Sequence, residues 1–217
     1  TEQIERLEKE IAALKKHLSD KAATLSCARA KAAGKLARAI TAELHGLGFM
    51  KSGFAVDLSS CEPTADGADV ISFGFAPNPG EPMRALKAIA SSGEIARVML
   101  AVKTVLASHD SIPVLVFDEI DANIGGEIGR AVGQKMRRVA ENRQVISITH
   151  LPQSAVYGRQ HYVVTKDVVK GRTKMRISAL DAAERTDEIA RMLGGKGLTS
   201  VIESHARELL ASAAAKP

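Results

Sequence analysis

Tryptophan is absent from this 217-residue chain, and aromatic residues of all kinds make up only 3% of it. Platforms on which single-stranded nucleic acid stacks need several aromatic faces, so that mode of binding is not expected. Cysteine is scarce too. Cys27 and Cys61 lie far apart, a pattern that suggests neither a disulfide framework nor a zinc site, and both read as reduced thiols of a cytosolic protein. No apolar run approaches the roughly 20 residues needed to span a bilayer, and no charged-then-apolar leader opens the chain, so no membrane partner is expected. The first residue is Thr1 and not Met, as in a fragment or a processed form. A phosphate-cradling loop is also missing. The Gly-Lys pairs, Gly34-Lys35 and Gly195-Lys196, have no glycine five residues ahead and no Ser or Thr behind.

What is present is enough for a real core. Hydrophobic residues form 45% of the chain, which argues against global disorder, and the length suits one α/β domain or a domain plus an arm. The net charge of +5 favours an acidic partner such as DNA, although an ordinary basic protein has the same charge. Lys166, Lys170, Arg172, Lys174 and Arg176 cluster late in the chain. They suit a DNA contact or, equally, a solvated hairpin whose edges are protected by lysine.

The richest segment is Pro113-Val114-Leu115-Val116-Phe117-Asp118-Glu119. A buried parallel strand reads as a short continuous apolar run, and adjacent acids at its carboxyl end stand where open α/β sheets bind ligands. In phosphate-transfer sites the first acid can hold Mg²⁺ while its neighbour activates a water. The loop Asp121-Ala122-Asn123-Ile124-Gly125-Gly126 follows. About twenty residues upstream lies Ala90-Ser91-Ser92-Gly93-Glu94, ahead of helical spacing at Ile95, Val98, Met99, Val102, Val105 and Leu106. A hydroxyl, backbone N–H groups and a helix start make an anion site there. Downstream, Gln144-Val145-Ile146-Ser147-Ile148-Thr149-His150 is a second apolar run, ending in a histidine. A helix cap or surface charge is the other reading of the acids, and the buried apolar strand that delivers them argues against it; taken singly, the histidine reads as a satisfied loop residue.

Taken in order, these elements resemble the second half of an ABC-type ATPase head. The signature falls at Ser91 to Glu94, a Walker B pair at Asp118 and Glu119, a D-loop from Asp121 and an H-loop at His150. Met83 to Leu106, Ile146 to Pro152 and Glu188 to Gly195 narrow the resemblance to the RecN family of bacterial SMC-like DNA repair ATPases, over about Leu25 to Gly195. The resemblance implies ATP and Mg²⁺ as cofactors, with Asp118 as the metal ligand, Glu119 as the general base and His150 on the γ-phosphate. It implies that Ser91, Ser92, Gly93, Glu94 and Asp121 face nucleotide, across a homodimer formed through the heads. Also implied are DNA as a partner, a separate N-terminal P-loop half joined through a coiled coil, and work in the bacterial cytoplasm on the nucleoid. The chain alone would then hold half of the catalytic apparatus and be inactive. One departure stands out. Ser92 occupies a position where the family usually has glycine, and a side chain there crowds the approach of backbone to a phosphate. With Ser91 and Gly93 in place, weakened rather than abolished function is expected.

Ile4, Leu7, Ile11, Leu14 and Leu18 follow a 3-4-3-4 heptad seam that Lys21 breaks. A plain amphipathic helix gives the same pattern over so few repeats, and the family resemblance favours the end of a coiled-coil arm over 1–24. Residues 25–217 then form the C-terminal lobe of the head. Phe54, Val56 and Leu58, and Ile71, Phe73 and Phe75, alternate as strands with one buried face. The spacing predicts helices over 92–108, 125–141, 182–193 and 198–213, strands over 113–118 and 144–149, and a hairpin pairing 161–165 with 173–178. The fold class is α/β: a P-loop-NTPase-like, mostly parallel sheet with flanking helices and an N-terminal coiled-coil helix. Two other functions are weighed against the ATPase. A transporter nucleotide-binding subunit would carry its P-loop upstream of the signature, where this chain has a heptad helix. A non-catalytic coiled-coil module would agree with Ser92 but not with intact Asp118, Glu119 and His150.

Overall fold

The computed structural model describes residues 2–89, 91–107, 109, 111–169, 172–194 and 199–215. Ala90 of the signature loop, Lys170 and Gly171 of the hairpin turn, and the Gly195-Lys196 pair lie outside them. The chain divides into two compact units, Thr1–His45 with Phe49–Ile89, and Gly46–Gly48 with Ala90–Pro217. The position near residue 24 where the seam ends falls inside one continuous helix, so it is not a boundary between compact units.

In the first unit, helix α1 runs from Glu2 to His45 without interruption. Its heptad positions Ile4, Leu7, Ile11, Leu14 and Leu18 are exposed, whereas Ala33, Ile40 and Leu44 near its far end are buried. Exposed leucine and isoleucine at this spacing form the seam that a partner helix covers in a coiled coil. Gly34-Lys35 sits in the helix interior, where no phosphate loop can form. The strands β1 (Gly53–Thr64), β2 (Gly67–Ala76) and β3 (Arg84–Ala85) make an antiparallel sheet in that order. The register sets Phe54 opposite Phe75, Val56 opposite Phe73 and Leu58 opposite Ile71, so the two predicted triads share one face. Phe75 also meets Phe49 edge to face, ring centroids 5.1 Å apart. The short β3 was not anticipated, because two residues carry no periodicity.

A polar clamp fixes α1 to the β1–β2 turn. The Ser26 hydroxyl donates to Asp69 Oδ1 at 2.6 Å, and Arg29 donates to Asp69 Oδ2 at 2.9 Å and to the Asp66 carbonyl at 2.6 Å. Gly67, at φ +109°, leaves the space that Leu25 and Arg29 fill.

The second unit is built on a parallel β–α–β step. Strand β4 (Val114–Asp118) pairs with β5 (Gln144–Ile148), and α3 (Gly126–Val139) connects them. Helix α2 (Ser92–Val105) precedes β4. Its buried residues are Gly93, Arg97, Val98, Leu100 and Ala101, while Met99 from the predicted stripe is exposed. After β5 come the single turn α4 (Pro152–Ala155), the antiparallel hairpin β6 (Tyr162–Val169) with β7 (Arg172–Ala179), and helices α5 (Ala182–Gly194) and α6 (Ser200–Ala214). Val156, Ile189, Ala190, Ala206 and Ala213 form the core under the last helices. Gly133 on α3 has no room for a side chain: an added Cβ would stand 2.9 Å from the Ser154 carbonyl oxygen.

The α/β class follows the predicted alternation, but among the described residues parallel pairing is limited to β4 and β5. These two strands bury one face through Leu115 and Phe117, while Val116 and Ile148 on the other face are 61% and 59% exposed. The hairpin separates the predicted basic cluster. Arg172, Lys174 and Arg176 project from one face, paired with Val169, Asp167 and Thr165, whereas Lys166 pairs with Met175 on the other.

The clamp makes a pH prediction. The Ser26 hydroxyl first, and then Arg29, hold the Asp69 carboxyl below its ordinary value. A carboxyl lowered in the folded state contributes stability above its unfolded value, and that contribution is lost as pH falls through the folded value. Hydrogen exchange at the β1–β2 turn and in α1 around Ser26 should therefore accelerate in Asp69→Asn at neutral pH, and wild type should approach the mutant in acid. Equal protection in the two proteins at neutral pH would show that the clamp carries no stability.

Candidate functional site

Strand β4 delivers Asp118 and Glu119 at its carboxyl end, and both are exposed. Immediately after the strand the backbone turns sharply. Glu119 has φ 54° and Asn123 φ 59°, both in the left-handed region that side chains disfavour by about 1 kcal/mol. The turn is held from within by Ala122 N–H donating to the Glu119 carbonyl at 3.0 Å.

The first turn of α2 closes against this loop. Ser91 caps the helix, its hydroxyl accepting from Glu94 N–H at 3.4 Å. Ser92 Oγ donates to Glu119 Oε2 at 2.8 Å. Gly93 is buried so closely that an added Cβ would stand 3.1 Å from the Glu119 carbonyl oxygen and 3.3 Å from Ala122 Cβ. A side chain here would therefore press on the Glu119–Ala122 turn, which would have to give by a few tenths of an ångström. Glu94 lends its N–H to the cap, and its carboxylate acts on Arg97.

Arg97 is the residue that the sequence reading missed. It is 7% exposed, and its guanidinium donates to the Ile120 and Ala122 carbonyls, each at 3.3 Å. Burial pulls the guanidinium below its usual value, opposed by the Glu94 carboxylate. A cation inside an apolar helical stripe at 95, 98 and 102 was the available signal, since a buried arginine needs carbonyl or carboxylate partners.

The site expectations divide at Asp121. Its side chain was expected to face nucleotide, but it is fully buried. Thr149 donates its hydroxyl to Asp121 Oδ2 and accepts from Leu151 N–H at 3.0 Å. Asp121 Oδ1 lies 3.8 Å from His150 Nδ1, and the His150 side chain is 71% exposed. Asp121 therefore braces the loop that presents His150, because a carboxylate without water must find donors inside. Thr149, the intermediary, carried no motif of its own. Among the described residues no three His, Cys, Asp or Glu side chains form a self-sufficient metal cluster.

Two contact groups thus stand at the carboxyl ends of β4 and β5, Ser92 and Gly93 against Glu119, and His150 and Thr149 against Asp121, joined through the turn from Glu119 to Ala122. A hydroxyl and N–H surface at a helix start, two exposed carboxylates and a loop histidine can together meet an anion, a hard cation and a proton.

No family model matches the chain. Among solved structures, the Smc head domain with a coiled coil and joint from Pyrococcus yayanosii has a TM-score of 0.52 at 19% identity, covering 71% of this chain and 28% of that one. The Smc head domain with an extended coiled coil from Pyrococcus furiosus, bound to the C-terminal domain of ScpA, has a TM-score of 0.50 at 20% identity, with 72% and 37% covered. The fold is that of part of an Smc head domain. The sequence is closer to one kind of protein. It is 42% identical over 189 residues to the DNA repair protein RecN of Xylella fastidiosa, covering 86% of this chain and 34% of the relative. RecN of Deinococcus radiodurans is 41% identical over 206 residues, with 94% and 36% covered, and that of Bacillus subtilis 34% over 226, with 97% and 39%. The chain is RecN-like over most of its length, and it spans little more than a third of the curated relatives it matches.

Replacing Arg97 tests the packing of the site. Arg97→Ala leaves two carbonyls without their charged donor, at a cost of about 2 kcal/mol, and Arg97→Lys restores only part because a point donor cannot match the fork. Thermal unfolding of the protein should fall in that order, and melting of Arg97→Ala within about a degree of wild type would contradict it.

Proposed function

We propose that this chain is the C-terminal part of an ATPase head that hydrolyses ATP to drive DNA double-strand-break repair on the nucleoid in the bacterial cytoplasm. The observation that carries the reading is the placing of Ser92 against Glu119 and of His150 against Asp121 on the two sides of one turn at the ends of β4 and β5. The RecN-like sequence supports the DNA repair role.

In this reading Glu119 accepts the proton of the attacking water and His150 bonds a γ-phosphate oxygen. The first turn of α2, with Ser91, Ser92 and Gly93, takes phosphate through N–H groups and hydroxyls. Asp121 acts through Thr149 and His150. The donor chemistry at the end of β4 suits Mg²⁺, which keeps several waters and takes one or two carboxylates along with phosphate oxygens, and Asp118 would hold it. Bound there, the ion supplies charge neutralisation at the phosphates. An N-terminal P-loop half supplies the phosphate cradle and covers the exposed face of Val114, Val116, Ile146 and Ile148, so the chain by itself is expected to be inactive. The heads act as a homodimer.

In the full-length protein, Glu119→Gln should retain ATP binding while single-turnover hydrolysis slows on the order of 10²–10⁴-fold. Hydrolysis within about twofold of wild type would remove Glu119 from the role.

The dimer has its own test. An anion site at α2 without a P-loop beside it should serve the nucleotide of the other subunit. Mixing Ser91→Arg with a P-loop-lysine variant should then recover part of the activity, through one intact composite site per heterodimer. Heterodimers that form and stay as inactive as either parent would rule out action across the interface.

A further inference from the structure

The contact between Ser92 and Glu119 has a direction and a consequence. The hydroxyl donates to Oε2 of the carboxylate across 2.8 Å, and hydrogen bonds to ionised acceptors are stronger than neutral ones. The backbone beneath it is already fixed. Ala122 N–H ties the Glu119 carbonyl, Gly93 packs on that same oxygen, and Arg97 holds the carbonyls on either side of Asp121. With Glu119 held at φ 54°, its side chain rises toward the first turn of α2. A general base must offer an oxygen to a water within hydrogen-bond reach, and here one oxygen is engaged by the protein's own hydroxyl.

We propose that Ser92 is a positioning residue that holds Glu119 in a resting pose through this hydrogen bond, and releases it when an anion takes the Ser92 hydroxyl. The inference rests on reading Glu119 as the base of an ATPase, and goes beyond it by assigning a restraint on that base. The same helix start is an anion site, with N–H groups that favour negative charge. A phosphate there competes with Glu119 for one donor. Arrival of the other subunit's phosphate at α2 and freeing of this subunit's base are then a single exchange of hydrogen bonds. A glycine at position 92 would leave the base unrestrained.

The test is steady-state ATP hydrolysis by the full-length protein. Ser92→Ala and Ser92→Gly both keep the backbone N–H and remove the hydroxyl. Turnover should rise in both, roughly threefold to tenfold, as expected for losing one exposed hydrogen bond to a charged group, and KM for ATP should rise as well, because the same hydroxyl is lost to the phosphate. Ser92→Thr, which restores the hydroxyl, should lose most of that gain. General damage to the fold does not raise kcat, so a purely structural role cannot produce this pattern. If Ser92→Ala is no faster than wild type while Glu119→Gln silences the enzyme, the latch is wrong and the ATPase reading stands. Ser92→Thr turning over as fast as Ser92→Ala also overturns the latch, since the hydroxyl would not be its cause. A wild-type protein without hydrolysis, or one indifferent to Glu119→Gln, overturns both.

Discussion

One buried cation unites the parts of the site. The guanidinium of Arg97 sits under the first turn of α2 and reaches the carbonyls of Ile120 and Ala122. Those carbonyls belong to the turn that β4 enters at Glu119. A turn with two residues in the left-handed region does not persist unless its surroundings over-determine it. Arg97 and the close seat of Gly93 supply that determination from one side, and the brace from Asp121 to Thr149 supplies it from the other. The helix start, the acids and the histidine loop are therefore mechanically one piece, although the sequence spreads them from Ser91 to His150.

Local pattern explains which parts of this were legible. The apolar run ahead of Asp118 and Glu119, the second run ahead of His150 and the stop-start alternation between them are short-range signals, and β4, α3 and β5 lie where they predict. The alternating triads at Phe54 and Ile71 likewise became β1 and β2, with their apolar sides matched in register. Arg97 was not legible because a helical stripe is read from its apolar members, and nothing local says that two carbonyls from residues 120 and 122 will need a donor. The direction of Asp121 was not legible because its partner, Thr149, is 28 positions away. A motif names a residue and its neighbours; it does not say which way a carboxylate turns. The basic cluster on the hairpin is a third case. Strand periodicity puts Lys166 opposite Arg172, Lys174 and Arg176, so a run of charge in sequence is not a patch in space.

Exposure carries information of another kind. A continuous apolar strand predicts cover on both faces, yet β4 and β5 are covered on one. Val114, Val116, Ile146 and Ile148 form an apolar face on water, and on the hairpin Tyr162, Val164, Val168, Met175 and Ile177 share an exposed face with Lys166. On α1 the heptad seam is bare in the same way. Scattered exposed leucines need no explanation, but rows of exposed apolar side chains on a strand pair, a hairpin and a helix do. The curated relatives are about three times as long as the stretch matched here, and the P-loop half proposed above would cover faces of this kind.

Neighbouring positions in the signature obey opposite constraints, and this bears on the substitution at Ser92. At Gly93 a side chain would strike the Glu119 carbonyl and Ala122, both parts of the fixed turn, so no larger residue fits without moving that turn. At Ser92 the side chain is exposed and donates to the far end of a flexible glutamate. A larger side chain is thus more costly at Gly93 than at the exposed Ser92. What Ser92 changes is therefore hydrogen bonding and not packing. A hydroxyl that can trade one acceptor for another alters the balance between two poses of an acid, while the frame that holds the acid stays as Arg97 and Gly93 set it.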